Sequence, residues 1–191
     1  MPPSTESPAP VLNLRHTFGL RADVINNIHY IEDNLVLYPA GHNVVVYNCD
    51  TKTQRFIHGS DMNNAEKGPF EISCLAVSND KKHVAVAEKG VEKGQVIIYS
   101  LETFKKKKTL STADCHSKEY VSMCFSPDDK YLLTQGGGPD WVLINWLFSR
   151  SQPKQITRIE TKDRFGLQKD HSLQCSYCPS DQSLIAVTGK G

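Results

Sequence analysis

The sequence predicts an all-β fold of repeated four-stranded sheets set as the blades of a propeller, and three observations predict it. A hydrophobic phrase recurs three times, at residues 72–87, 121–134 and 173–187. Each copy breaks at a polar corner, beginning at Ser78-Asn79-Asp80, at Ser126-Pro127-Asp128 and at Cys178-Pro179-Ser180. Aligning Ser78, Ser126 and Cys178 gives steps of about 48 and 52 residues, close to the roughly 40–50 of propeller blades. Such a repeat is a scaffold, so function is sought in surfaces.

Residues 1–14 are rich in Pro and Ser and predict a disordered tail. The tail lacks the basic region and apolar core of a secretory signal. Residues 15–191 read as the propeller segment, with blades at about 24–60, 68–112 and 116–161 and a partial one at 170–191. The first and most divergent blade contains apolar runs at 27–31, 34–38 and 43–47, then an outer strand at 54–57. Tyr47 and Tyr99 lie about 52 residues apart, so this unit keeps the period. The second blade adds a third strand at 95–99 and an outer strand at 106–110.

The middle repeat shows the grammar most clearly. Residues 121–125 form a short apolar strand. At the corner, Pro127 presets a turn and the Asp side chains accept local backbone hydrogen bonds. Residues 131–134 form the next strand, and Gly136-Gly137-Gly138-Pro139-Asp140 a loop where pairing stops. Residues 141–146, rich in β-branched and aromatic side chains, form the third strand. The more polar 154–159 suits an outer edge. The final repeat has two strands. Some three and a half blades do not close a ring of 4–8, which predicts the front part of a longer protein or a truncated product, with completion of the ring by a partner as the lesser alternative. Val77, Phe125, Leu132, Val142 and Ile144 are the expected core.

At 39% hydrophobic and 23% charged, the chain of 191 residues has the composition of a globular domain. A net charge of +1 argues against a nucleic-acid partner. No apolar run approaches the roughly 20 residues that span a bilayer, so no membrane partner is expected. The six cysteines predict reduced thiols in a cytosolic compartment, serving as small hydrophobes.

Chemical motifs are weak. Cys175-Ser176-Tyr177-Cys178 has no second pair to complete a zinc site, and on a strand residues three apart face opposite sides. The glycine run at 136–138 feeds a strand and lacks the Gly-Lys-Ser/Thr ending of a phosphate loop. His16, His29, His42, His58, His83, His116 and His171 include no i, i+4 helical pair. A Ser-His-Asp set assembles in space and leaves no spacing signature, but no Gly-x-Ser-x-Gly elbow is present. The expectation is no enzyme, no cofactor and no metal. Lys105, Lys106, Lys107 and Lys108 form the sharpest charge feature. They suit either an edge strand protected against pairing or contact with an acidic partner.

Two stretches carry a resemblance beyond repeat grammar. One is His16-Thr17-Phe18-Gly19-Leu20-Arg21 with Val24-Ile25-Asn26-Asn27-Ile28. The other is Tyr120-Val121-Ser122-Met123-Cys124-Phe125-Ser126-Pro127-Asp128-Asp129-Lys130-Tyr131-Leu132-Leu133. Tyr47-Asn48 and the run Gln54-Arg55-Phe56-Ile57-His58-Gly59-Ser60 add to them. The chain thereby resembles the start of the first β-propeller in the cilia- and flagella-associated protein fifty-seven family, WD-repeat proteins of motile cilia. The resemblance implies a WD40-like propeller and a place in the axoneme after a cytoplasmic phase. It implies a role in assembling and positioning inner dynein arms near the regulatory complex. Implied partners are inner-arm dyneins, the regulatory complex, a paralogous WD-repeat protein and tubulin. The Gly-His and Trp-Asp dipeptides of standard WD repeats are missing. These blades are therefore expected to lack the usual His-Ser-Asp-Trp hydrogen-bond network.

The reading is a non-enzymatic axonemal docking element whose rim loops, 88–94 and 136–140, meet its neighbours. A cytosolic WD-repeat adaptor of another assembly is the alternative on the same fold.

Overall fold

The computed structural model describes residues 13–60, 71–158 and 174–189. Most of the expected tail, residues 1–12, lies outside that set, as do Leu173 and His171. The described chain is all-β. The first sheet contains β1 (His29–Glu32), β2 (Leu35–Ala40), β3 (Asn43–Asn48) and β4 (Gln54–His58). The second contains β5 (Glu71–Val77), β6 (His83–Lys89), β7 (Gln95–Ser100) and β8 (Lys106–Leu110). The third contains β9 (Tyr120–Phe125), β10 (Tyr131–Gly136), β11 (Val142–Leu147) and β12 (Gln152–Arg158). A two-stranded sheet, β13 (Gln174–Tyr177) and β14 (Ile185–Thr188), follows. Every sheet is an antiparallel meander in chain order. Strand β5 lies beside β9, and β9 beside β13, so these first strands line the inside of an arc. This is an incomplete WD40-like β-propeller.

Period-two alternation sends each strand's side chains into two different seams. Seen from blade two, Val84, Val86, Ile97 and Tyr99 face blade one and pack with Leu37, Val44, Val46 and Ile57. On the other side, Cys74, Ala76, Ala85, Ala87, Val96 and Ile98 face blade three. There they meet Tyr120, Met123, Phe125, Leu132, Val142, Ile144 and Trp146. The alanine face of one blade receives the aromatic face of the next, which is how close packing is reached without voids. Trp146 and Tyr120 are fully buried, each a contribution of about 2–3 kcal/mol from removal of apolar surface from water. Leu133, Cys175 and Tyr177 form the third seam with Cys124, Tyr131 and Leu143. Of the expected core residues, Phe125, Leu132, Val142 and Ile144 are buried, and Val77 packs half-buried against the first seam.

The corners are built alike. Ser78 Oγ donates to Asp80 Oδ1 at 2.6 Å and accepts from His83 N. Ser126 Oγ donates to Asp128 Oδ1 at 2.7 Å and accepts from Tyr131 N. Lys81 and Asp129, at equivalent places, have φ of 59° and 55°. The Asp129 carboxylate then crosses the seam, accepting from Asn79 N and Asp80 N at 2.8 Å and from Asn79 Nδ2 at 3.0 Å. In the next corner Pro127 stands where Asn79 stood, and proline has no N–H to donate across that seam.

Candidate interaction surfaces

The rim loops are anchored by carboxylates. Glu88, 1% exposed and next to last in β6, accepts from Ser60 N at 2.9 Å, Ser60 Oγ at 2.5 Å and Gln95 Nε2 at 2.8 Å. This pins the loop that leaves blade one to blade two. In blade three Gly136 occupies the matching place, where a Cβ would meet Ser117 Oγ at 2.5 Å. The carboxylate comes from Asp140 instead. It accepts from Ser117 Oγ at 2.6 Å and from His116 N at 2.8 Å, and Ser117 Oγ also reaches the Gly137 carbonyl at 2.7 Å. Burial pushes the Asp140 carboxyl up, but the Ser117 and His116 hydrogen bonds outweigh it and hold the group below the usual carboxylate range.

A serine, a histidine and an aspartate thus do come together, though not as a nucleophilic relay. Ser117 Oγ bonds directly to the carboxylate rather than to the imidazole, and His116 Nδ1 lies 3.6 Å from Asp140 Oδ2. A triad needs the histidine between the other two. Blade three also retains part of the network expected to be missing. Trp146 Nε1 donates to Thr134 Oγ1 at 2.8 Å, and both side chains are fully buried. The expectation is corrected to that extent: Trp146 lacks a following Asp but still fulfils its donor role, because a buried indole N–H is costly to leave unpaired.

The loop expected at 88–94 presents Val91, 54% exposed, rather than Glu88. Gly90 N and Gly94 N donate to the carbonyls of Lys118 and Ser117, tying this loop to the next blade's approach. In the loop 136–140, Gly138 and Pro139 are the exposed residues. His116, Val91 and Pro139 therefore share one rim.

The lysine run divides. Lys105, Lys106 and Lys107 are exposed along the start of the outer strand β8. Lys108 turns into the seam, where its Nζ lies 4.3 Å from the Phe148 ring centroid and donates to the Phe148 carbonyl. Burial lowers its pKa. His83 and Phe125 contact the same ring edge-on, at 5.2 and 5.4 Å. The seam between blades one and two has a matching pair, Arg55 over Phe104 at 3.8 Å. Sequence reasoning passed over these pairs, whose members lie 40 and 49 residues apart. Beside Phe104 a groove of about 760 Å³ opens, lined by Ile31, Leu35, Arg55, Lys81 and Leu101 among others. The β5–β6 corner of blade two supplies Asp80, Lys81 and Lys82 to its wall.

Among the described residues no group of three His, Cys, Asp or Glu side chains is placed to hold a metal, and no helix is long and apolar enough to cross a membrane. Cys175 and Cys178 do not act as a pair: Cys175 Sγ approaches Ser122 Oγ and Cys178 Sγ approaches Ser180 Oγ.

Comparison with known proteins extends this picture. The chain is 35% identical over 178 residues to mouse (Mus musculus) cilia- and flagella-associated protein 57, across 92% of this chain. The chain is a relative of cilia- and flagella-associated protein 57. A Tetrahymena thermophila relative, cilia- and flagella-associated protein 57 C, is 30% identical over 187 residues and 93% of the chain. Mouse cilia- and flagella-associated protein 44 is 26% identical over 180 residues and 94% of the chain. The chain spans 13%, 13% and 9% of the length of these relatives. No protein-family model matches it.

Proposed function

We propose that this propeller segment is a non-enzymatic docking element of the motile-cilium axoneme, one that helps assemble and position inner dynein arms near the regulatory complex. The observation that carries the reading is similarity over more than nine-tenths of the chain to cilia- and flagella-associated proteins. The wiring of its polar clusters supports it: Glu88, Asp140 and Asp129 hold loops and seams together and leave the rims to face outward. The proposed neighbours are inner-arm dyneins, the regulatory complex, a paralogous WD-repeat protein and tubulin. Before assembly the protein resides in the cytoplasm. Lys105, Lys106 and Lys107 offer contact to an acidic partner, with Lys108 committed to the seam. The test is to tag the protein in ciliated cells and separate cilia, membrane-matrix extract and demembranated axonemes. Retention on axonemes, with cross-links to dynein or regulatory-complex subunits, is the expected result. A tag that stays in the cell body of fully ciliated cells overturns the reading and favours the cytosolic adaptor.

A further inference from the structure

Cys124 lies on β9 and Cys175 on β13, the adjacent inner strands of blades three and four. Both belong to the third seam, with Leu133, Tyr177, Tyr131 and Leu143 around them. Cys124 packs against the cluster that holds Cys175, and Cys175 bonds Ser122, two residues before Cys124, through its N–H at 3.1 Å and its Sγ at 3.5 Å. Alternation explains the meeting: Ser122 and Cys124 share one face of β9, while Met123 and Phe125 turn to blade two. Cys175 and Cys178, three apart on a strand, were expected to face opposite sides, and the fold sets Cys175 in one seam with a cysteine 51 residues earlier.

We propose that Cys124 and Cys175 form a redox-modifiable site, closing to a disulfide that staples blade four to blade three when the protein meets hydrogen peroxide. Cys175 is 3% exposed and held in place by Ser122. Cys124 is only half-buried, so a small oxidant reaches the pair along its side. Cys124, with help from Ser122, lowers the Cys175 pKa against the effect of burial, so thiolate character gathers on Cys175. That thiolate attacks one peroxide oxygen, giving a sulfenic acid and hydroxide. The hydroxide takes the Cys124 proton, and the Cys124 thiolate displaces a second hydroxide from the sulfenic sulfur. The proton first lost by Cys175 converts that hydroxide to water. Two thiols and one peroxide thus become one disulfide and two waters. Cys74 and Cys115 also share a cluster but are 1% and 0% exposed, closed to an oxidant, and Cys49 and Cys178 are not in this seam.

The test uses the whole chain, reduced and then titrated with hydrogen peroxide, with the cross-linked peptides identified by mass spectrometry. The expected product is a Cys124–Cys175 linked peptide that dithiothreitol reverses. Cleavage by protease within 174–188 then slows by about tenfold or more, since the staple restricts opening of the last sheet. Cys124→Ser abolishes the linkage, and Cys178→Ser leaves it intact. A dominant linkage between any other pair, or oxidation of Cys124 to the sulfinic acid with no linkage, overturns the proposal. The wild-type peptide map decides the matter even where a variant fails to fold.

Discussion

Replacing Asp129 measures how strongly neighbouring blades are coupled at their corners. Its Oδ1 accepts from Asn79 N and Nδ2, and its Oδ2 accepts from Asp80 N. The donors lie at the surface, so water replaces part of each lost bond, and each counts for about 0.5–1 kcal/mol net. Asp129→Ala removes all three and leaves alanine at a φ of 55°, which costs about 1 kcal/mol more. The sum is about 3 kcal/mol, or a Tm fall of roughly 6–12 °C for a chain of this size. Asp129→Asn keeps an oxygen for the two Asn79 donors and tolerates positive φ, but turns its NH₂ toward Asp80 N. It should cost about 1 kcal/mol. Urea unfolding followed by the fluorescence of Trp141 and Trp146 reads both values, with the exposed Glu92→Ala expected within about 0.5 kcal/mol of wild type. If Asp129→Ala costs less than about 1 kcal/mol, or if Asn is as damaging as Ala, the corner does not couple the blades as described.

Three further outcomes follow from the same geometry. Gly136→Ala should destabilise by about 2–3 kcal/mol, because its Cβ would displace Ser117 Oγ from both Asp140 and Gly137; thermal unfolding reads it. Asp140 has a depressed pKa in the folded state, so its stabilisation is present above the unfolded value of about 4 and is lost as pH falls through the folded value. The gap between wild type and Asp140→Asn should therefore narrow between neutral and strongly acid pH, and a gap that is constant with pH contradicts the assignment. Reversing Lys105, Lys106 and Lys107 to Glu should leave stability within about 0.5 kcal/mol and abolish salt-sensitive binding to polyglutamate. Lys108→Glu should instead lower the Tm, because it empties the site over Phe148.

The inner strands were legible because period-two apolar runs between polar corners leave few alternatives, and among the described residues these strands fall where those runs lie, with the polar β8 and β12 at the outer edges. The seams were not legible. Which side of a strand faces which neighbour depends on irregularities, and register shifts occur between Ile72 and Cys74, between Gln135 and Gly136 and between Asn145 and Trp146. One such shift reverses every later side chain. The β3–β4, β7–β8 and β11–β12 turns also repeat one conformation, with Lys52, Phe104 and Ser151 at φ of 57°, 58° and 56°. No glycine marks these positions, so composition alone does not disclose that the turns are equivalent. The tetralysine run hid one difference for a related reason. The β7–β8 register shifts between Ile98 and Tyr99, opposite Lys108 and Lys106, so alternation alone does not tell which lysine faces a ring, and the geometry shows that it is Lys108.

The departures from standard WD-repeat sequence have a common physical explanation. A propeller needs the loop that enters each blade fixed to the corner between its second and third strands, and a buried acceptor with two or more donors satisfies that need. Blade two places the acceptor next to last in β6 as Glu88, fed by Ser60 and Gln95. Blade three places it in the following loop as Asp140, fed by Ser117 and His116, and the Gly136 site is kept empty of side chain to admit Ser117. Two carboxylates, on residues of different length and four positions apart in the aligned repeat, hold the same junction. The constraint acts on having a carboxylate acceptor with its donors at the junction rather than on the position that supplies it, so a blade survives the loss of its signature dipeptides. Trp146 is the same case in the core, since its N–H needs only an oxygen, and Thr134 supplies one.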